Sequence, residues 1–237
     1  ILDSKGEIIA QQAVSINTRQ IQIPVKNIHA WTAESPTLYR CIVELGDDTF
    51  ATNFGFRTIR FDQNNLYIND RKVFLRGLNR HQCYPYIGYA AVDSLQEEDV
   101  RILKEELHVN AVRTSHYPQS QSFIDACDRY GLYVFTEIPG WQHIGDQTWK
   151  QQAIRNTEDM VLQYRNHPSI ILWGVRINES LDDDELYTKT NEIARKLVSV
   201  EDFQDRSTVT ILGDGLFESA SAQIKAKHYP VLVAVSK

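Results

Sequence analysis

Four apolar segments alternate with helix-like segments in this sequence, and that alternation restricts the fold more than any other feature. The predicted strands lie at 72–79, 111–116, 132–137 and 169–178. Apolar runs between helices are typical of parallel strands that are buried on both faces. The βαβαβαβα order therefore predicts an α/β fold in which helices pack outside a parallel sheet.

The segments between these strands carry helix signals. Ser94 is expected to cap the first helix, because Glu97 follows it at the spacing of a capping box. The second helix is predicted over 122–130 and ends at Gly131, a residue type common just past a helix. Two longer helices are predicted over 149–166 and 183–198.

The residues before the repeat have the alternating pattern of β-strands. Apolar side chains occupy every second position in 21–25 and 39–45, and a hairpin is predicted around Asn69 and Asp70. About 60 residues are too few for a seven-stranded sandwich, which takes roughly 100. We therefore expect a small β-sandwich-like segment before the parallel sheet.

The C-terminal part supplies two more predicted strands, 209–212 and 231–235, with a helix predicted over 217–227. We interpret them as strands five and six of the same sheet. An eight-stranded α/β barrel takes roughly 200 to 250 residues. The fold expected from the sequence is therefore an incomplete or truncated (β/α)8 barrel, and the sequence is expected to be a piece of a longer chain.

Composition and charge exclude several classes of partner. The net charge of -6 argues against nucleic acid and anionic membranes as partners. Apolar runs stay well short of the roughly 20 residues that span a bilayer. Three scattered cysteines, Cys41, Cys83 and Cys127, have no metal-binding spacing. Their odd number predicts a reduced, cytoplasmic protein.

Polar side chains gather where the four predicted strands end. The candidates are Asn79 and His81, then Arg113 and His116, then Glu137, and finally Asn178 and Glu179. A single carboxylate at such a position can simply cap the following helix. Four strand ends that all carry ionisable or amide groups favour an active site instead, because α/β barrels place their chemistry at this edge.

Several motifs resemble glycoside hydrolase family 2, and most closely its β-galactosidases. They are Leu75-Arg76-Gly77-Leu78-Asn79-Arg80-His81, Asn110-Ala111-Val112-Arg113-Thr114-Ser115-His116-Tyr117-Pro118, Cys127-Asp128-Arg129-Tyr130-Gly131 and Asn178-Glu179-Ser180. Phe54-Gly55-Phe56-Arg57 resembles the end of the family's immunoglobulin-like domain. The resemblance covers residues 31–196. It implies a partial immunoglobulin-like domain over 1–62 and a barrel catalytic domain over 63–237.

The resemblance implies a retaining glycosidase that acts on β-galactosides. Glu179 matches the general acid/base, and Asn178 matches the amide that contacts the sugar 2-hydroxyl. Arg113 resembles the arginine near the nucleophile, while His81 and His116 resemble the histidines that line the sugar pocket. Asn79 and Glu137 are further candidates for substrate contact. The pKa of an acid/base glutamate must be raised, and Trp173 and Ile177 are candidates for the apolar walls that would raise it.

Departures from the family pattern limit these implications, beginning with Gln82, where family members usually carry Glu. Trp141 stands where some β-galactosidases of the family have a metal ligand, so we predict no metal site and no cofactor. The family's nucleophile lies on the seventh strand, and no segment after Lys196 matches it. Glu201 and Glu218 lack the expected context.

The sequence is compatible with three hypotheses. The chain is a β-galactosidase-like enzyme, a sugar-binding fragment without a nucleophile, or a structural remnant. A sheet that stops before closure leaves unpaired edges, which invite another chain. We therefore also predict a homo-oligomer, most simply a two-fold dimer.

Overall fold

The chain folds into two compact units. The computed structural model describes residues 1–15, 18, 20–62, 65–198, 208–212 and 231–234. One unit contains Ile1–Val73 and Asn166–Pro168 together with the C-terminal strands. The other contains Phe74–Arg165 and the segment from Ser169 to the last described helix. The domain boundary between residues 62 and 63 stays a prediction.

The first unit is built from short antiparallel strands. They are β1 (Gln20–Pro24), β2 (Tyr39–Leu45), β3 (Asp48–Phe54), β4 (Ile59–Asp62), β5 (Asn65–Ile68) and β6 (Arg71–Val73). Strands β2 and β3 form one hairpin, and β4, β5 and β6 form a three-stranded sheet. Asn69 and Asp70 have φ of 49° and 61°, as a tight two-residue hairpin requires. The predicted hairpin is therefore present.

The second unit has the predicted alternation of strands and helices. Its elements are β7 (Gly77–Arg80), α1 (Asp93–Arg101), β8 (Ala111–Thr114), α2 (Gln121–Tyr130), β9 (Tyr133–Glu137), α3 (Gln147–Tyr164), β10 (Ile170–Gly174) and α4 (Asp184–Val198). The four strands form one parallel sheet in the order β10-β9-β8-β7. The sequence prediction of a parallel sheet over these segments is correct.

Helix ends show where local signals succeed and fail. Gly131 ends helix α2 in the left-handed conformation, with φ of 75°, as predicted. Ser94 is not the cap of helix α1, because that helix begins at Asp93 and Val92 takes the capping position. Helix α3 begins before its predicted start, because the Asp146 side chain accepts a hydrogen bond from the Trp149 backbone N–H at 2.9 Å.

The core of the second unit lies between the sheet and its helices. Val112, Val134 and Ile170 of the strands are fully or almost fully buried together with Phe123 of α2 and Val161 of α3. Removal of this apolar surface from water is the main favourable term that holds the layers together. The packed core fixes the strands and therefore fixes the positions of the residues at their ends.

Among the described residues, the opposite face of the sheet is open to solvent along a groove. The groove has a volume of about 180 Å³, with Leu78, Arg113, Tyr133 and Phe135 among the residues that line it. Leu78 is 49% exposed on the edge strand β7. The inner surface that a closed barrel would cover is therefore accessible among the described residues.

The prediction for the C-terminal strands is wrong. Strand β11 (Thr208–Leu212) pairs antiparallel with β1 and with β12 (Val231–Ala234). These strands consequently form a separate antiparallel sheet and do not extend the parallel one. The predicted helix over 217–227, Glu201 and Glu218 lie outside the described residues.

Hydropathy along the helices bears on membrane insertion. Among the residues that the structure describes, no helix is both long enough and apolar enough to cross a bilayer.

Candidate active site

The carboxyl ends of strands β7 to β10 meet at one edge of the parallel sheet. Parallel pairing places Asn79 beside Arg113 in the register of β7 and β8, and β9 ends at Glu137 beside Gly174 of β10. Asn178 follows four residues after the end of β10. The predicted site residues therefore belong to one rim, as the strand-end pattern in the sequence indicated.

A buried carboxylate organises this rim. The side chain of Glu137 is 5% exposed. Arg113 donates from Nε to Glu137 Oε1, and His116 Nδ1 lies 2.9 Å from Glu137 Oε2. A buried carboxylate needs such partners, because desolvation without them is costly. Glu137 therefore positions the side chains of Arg113 and His116.

Asn178 connects this group to the segment after β10. Arg113 Nη2 donates to Asn178 Oδ1 at 2.8 Å, and Asn178 Nδ2 lies 3.4 Å from His116 Nε2. Because an ionised Glu137 only accepts hydrogen bonds, His116 donates through Nδ1. In the neutral ring Nε2 then accepts from the Asn178 amide. The four side chains thus have one consistent arrangement of donors and acceptors.

Glu179 lies next to this group in sequence. Asn178 and His116 of the group act on its carboxylate, and the loop after β9 supplies two further partners. Oε2 of Glu179 accepts hydrogen bonds from Gln142 Nε2 at 2.9 Å and from Trp141 Nε1 at 3.1 Å. The residue is exposed, and its backbone has φ of 55°. Left-handed backbone at a residue other than glycine is uncommon and concentrates at functional sites.

The pKa of Glu179 in the free chain is shifted downward, whereas the sequence analysis expected an upward shift. The hydrogen bond from Gln142 is the largest cause, followed by that from Trp141, and together they hold the pKa of Glu179 below its ordinary value. Ile177 is buried, but Glu179 itself is in contact with water. Glu179 is therefore not enclosed by the apolar walls that were expected to raise its pKa.

His81 and Asn79 border the same group on the side of β7. The ring of His81 packs edge-on against His116 with 5.4 Å between centroids, and it lies 6.1 Å from the ring of Tyr117. Both His81 and Asn79 are exposed. They are accessible to a ligand that contacts this edge of the sheet.

Arg80, which lies between those two residues, is a structural residue. It is 7% exposed and donates to Asp99 at 2.7 and 2.9 Å, to Gln96 at 2.8 Å and to Gln119. Its guanidinium also lies 4.0 Å from the ring centroid of Phe123. Arg80 therefore ties the end of β7 to helices α1 and α2 and does not face the rim.

Sequence reasoning did not identify Trp141 and Gln142 as partners of Glu179. The available signal was their position, only a few residues beyond the end of β9 on the rim that carries the other candidates. Trp141 directs an N–H donor at the carboxylate, whereas metal ions bind lone-pair donors. The Trp141 side chain is therefore unsuited to be a metal ligand.

Comparison with known proteins identifies the family. Residues 59–226 match the family described as glycosyl hydrolases family 2, TIM barrel domain, and residues 2–57 match glycosyl hydrolases family 2. The fold and the rim define a class of protein, which has a catalytic α/β-barrel domain preceded by a β-rich segment. The chain belongs to glycoside hydrolase family 2, which confirms the resemblance and the fold class inferred from the sequence.

Curated relatives are named β-galactosidase. The chain is 52% identical over 177 residues to that of Thermoanaerobacterium thermosulfurigenes, covering 73% of this chain and 25% of the relative. It is 47% identical over 207 residues to that of Thermoanaerobacter pseudethanolicus, covering 83% of this chain and 28% of the relative. The chain thus spans about a quarter of the length of these relatives.

Solved structures with the same fold include enzymes with other named substrates. A β-galacturonidase from Eisenbergiella tayi matches with 31% identity and a TM-score of 0.68, over 74% of this chain and 33% of its own. A β-glucuronidase from Parabacteroides merdae matches with 30% identity and a TM-score of 0.64, over 73% of this chain and 24% of its own.

Proposed function

We propose that this chain is a glycosidase that hydrolyses β-galactosides with retention of configuration and that it supplies the general acid/base of the reaction. The observation that carries the proposal is the rim group in which Arg113 joins Glu137 to Asn178, the residue before Glu179. The names of the relatives at about 50% identity support a galactoside as the substrate. The proposed acid/base is Glu179.

Glu179 would act in both steps of the reaction. In the first step its carboxyl group gives a proton to the glycosidic oxygen as the bond to the anomeric carbon breaks and a second carboxylate forms a glycosyl ester. In the second step the Glu179 carboxylate removes a proton from the water that replaces this ester. The second carboxylate must lie about 5 to 5.5 Å from Glu179, and we assign it to no described residue.

Glu179 can act as an acid only if its pKa rises when the substrate binds. In the free chain the hydrogen bonds from Gln142 and Trp141 favour the ionised form. A sugar placed against this exposed carboxyl group would exclude water from it, and desolvation raises the pKa of a carboxyl group. We propose that the substrate itself supplies the burial that general acid catalysis needs.

The remaining candidates would orient the sugar. Asn178 is held by Arg113 through Oδ1, so its Nδ2 group can donate to the sugar 2-hydroxyl. His116 is fixed by Glu137, and exposed His81 and Asn79 would contact other hydroxyl groups. Hydrogen bonds that hold a substrate in reactive geometry account for a large part of catalysis.

Turnover by the purified chain tests the proposal. The substrates are nitrophenyl β-galactoside, lactose and nitrophenyl β-glucuronide, and Glu179→Gln is compared with the unmodified chain. Loss of a general acid/base costs about 10²- to 10⁴-fold, so lactose hydrolysis should fall by that factor. Glu185→Gln is the matched control, because Glu185 is an exposed glutamate of helix α4 that pairs with Lys189 at 2.7 Å.

Each contrary result has a distinct meaning. Galactose binding without turnover would favour a sugar-binding chain over an enzyme. Faster hydrolysis of the glucuronide than of the galactoside would favour a β-glucuronidase, which is the name of the structural neighbour from Parabacteroides merdae. Equal activity of Glu179→Gln and Glu185→Gln would remove Glu179 from the mechanism.

A further inference from the structure

The loop after β9 runs beside the segment that carries Asn178. Strands β9 and β10 pair in parallel as far as Glu137 and Gly174, and the Ile138 N–H donates to the Gly174 carbonyl at 2.9 Å. Parallel pairing resumes between Trp141 and Asn178. Glu137 and Gly174 are as far apart in sequence as Trp141 and Asn178 are. The loop has therefore returned to the register of the sheet at Trp141.

Close contacts fix the loop in that register. The Gln142 N–H donates to the Asn178 carbonyl at 2.7 Å. Gly140 has φ of 146°, and a Cβ atom at this position would lie 2.6 Å from Cδ1 of the buried Ile177. Only glycine allows this approach and this backbone conformation. The positions of the next two side chains are therefore determined by the sheet.

Both of those side chains direct an N–H group at the same oxygen atom. Trp141 Nε1 and Gln142 Nε2 lie 3.1 and 2.9 Å from Oε2 of Glu179, and we call these two groups the donor pair. An ionised carboxylate accepts through two oxygens, and the donor pair occupies one of them. Hydrogen bonds to a charged group are shorter and stronger than neutral ones.

We propose that Trp141 and Gln142 are positioning residues that hold Glu179 by Oε2 and leave Oε1 to exchange the proton with the glycosidic oxygen. This inference rests on the proposed function, because it assigns the geometry of the same acid/base. The donor pair sets the direction of the carboxyl group without carrying charge. Trp141 stands where some β-galactosidases of the family have a metal ligand. In this chain a neutral N–H group at that position holds Glu179 instead.

The donor pair also sets the protonation of Glu179. N–H donors stabilise the ionised carboxylate, so their removal should raise the pKa of Glu179. A protonated His116 ring would act in the same direction through its charge. Glu137 at the end of β9 and Arg113 of β8 are the other charged groups on this rim. The test must therefore separate the donor pair from His116.

The sharpest readout is the titration of Glu179 itself. Carbon NMR of the chain with labelled glutamate follows the carboxyl signal of Glu179, identified by its disappearance in Glu179→Gln. Trp141→Phe removes one N–H and keeps an aromatic ring, and Gln142→Leu removes the other. Each should raise the pKa. Gln142→Glu should raise it further, because a second carboxylate replaces the donor.

Two controls separate this effect from general damage. Gln147 donates to the exposed Glu185 at 3.4 Å, so Gln147→Leu removes a similar bond away from Glu179 and should leave its pKa unchanged. The same Trp141→Phe change is measured in a His116→Gln background. A rise of similar size in both backgrounds assigns the effect to the donor pair.

Kinetics give the second readout. Trp141→Phe should lower kcat/KM for lactose by about tenfold, because the carboxyl group is then misaligned with a leaving oxygen that must be protonated. The loss for nitrophenyl galactoside should be smaller, because its leaving group needs less protonation. The alkaline limb of the pH profile should move to higher pH, since the acid form then persists further. An unchanged pKa of Glu179 in all three variants would overturn the inference. A raised pKa without any galactoside turnover would support the donor pair and overturn the proposed function.

Discussion

Arg113 of β8 and Asn178 beyond β10 are joined by a hydrogen bond of 2.8 Å from Nη2 to Oδ1. The same guanidinium donates from Nε to Glu137, which lies at the end of the strand between them. One planar group therefore connects three neighbouring strand ends. A planar fork with fixed donor directions is what distinguishes arginine from lysine.

Replacement of Arg113 by lysine tests this geometry. A lysine ammonium keeps the charge beside buried Glu137 but cannot reproduce the two N–H directions of the fork. We expect the orientation of Asn178 to be lost and kcat/KM for galactosides to fall about 100-fold. The melting temperature should change little because the ion pair remains. The matched control is Arg101→Lys, because Arg101 is a partly exposed residue of helix α1 that pairs with Glu98 at 2.7 Å. Equal effects of the two changes would exclude this role for Arg113.

Removal of the Glu179 carboxyl group should depend on the leaving group. Glu179→Ala should slow hydrolysis of lactose about 10³-fold, because its leaving alcohol must be protonated. Dinitrophenyl galactoside needs less protonation and should lose much less in the first step. Azide should restore part of the activity, and its product should be a β-galactosyl azide. Equal losses on both substrates would indicate a structural role.

Adjacent residues Arg80 and His81 should have opposite phenotypes. Arg80→Ala leaves Asp99 and Gln119 without their buried partner, and such a change destabilises by about 3 kcal/mol. His81→Ala should leave the melting temperature nearly unchanged, because the ring is exposed. It should lower galactoside affinity instead. Thermal unfolding and inhibitor binding, measured on both variants, check the contrast; a large stability loss in His81→Ala would contradict it.

The parallel sheet and its rim were predictable because they depend on patterns that repeat. Buried strands such as 132–137 are continuous apolar runs, and each ends where a polar residue must face the rim. Glu137 and Asn178 could therefore be placed on one edge before any contact was known. The motifs of the family then suggested the role of each residue.

Other features depend on contacts between distant residues. Val92 takes the capping position of helix α1 although Ser94 and Glu97 have the local signal, so that signal alone does not locate the start of the helix. Strand β11 has an ordinary apolar pattern, and only its pairing with β1 and β12 shows that it is antiparallel. The exposure of Glu179 and its bonds to Gln142 likewise come from loop geometry that no periodicity encodes.

Self-association is a prediction that follows from the edges of the sheet. Among the described residues, strand β7 is an edge of the parallel sheet. Leu78 in this strand is 49% exposed, and Phe74 shortly before it is 78% exposed. Exposed apolar edges favour pairing with another chain. We expect light scattering to report a dimer whose fraction rises with protein concentration, and Leu78→Lys should shift it to monomer. A monomer at all concentrations would contradict the prediction.

Mixing experiments then ask whether the two copies act together. If each chain works alone, activity of a mixture of unmodified and Glu179→Gln chains should follow the unmodified fraction linearly. If two Glu179 side chains contribute to one site, only dimers of two unmodified chains are active. Their abundance is the square of the unmodified fraction when chains pair at random, so activity should fall more steeply than linearly. Mixing below the dissociation concentration of the dimer is the control, because exchange is then complete before assembly. A linear decrease would show that the retaining reaction does not use a second Glu179.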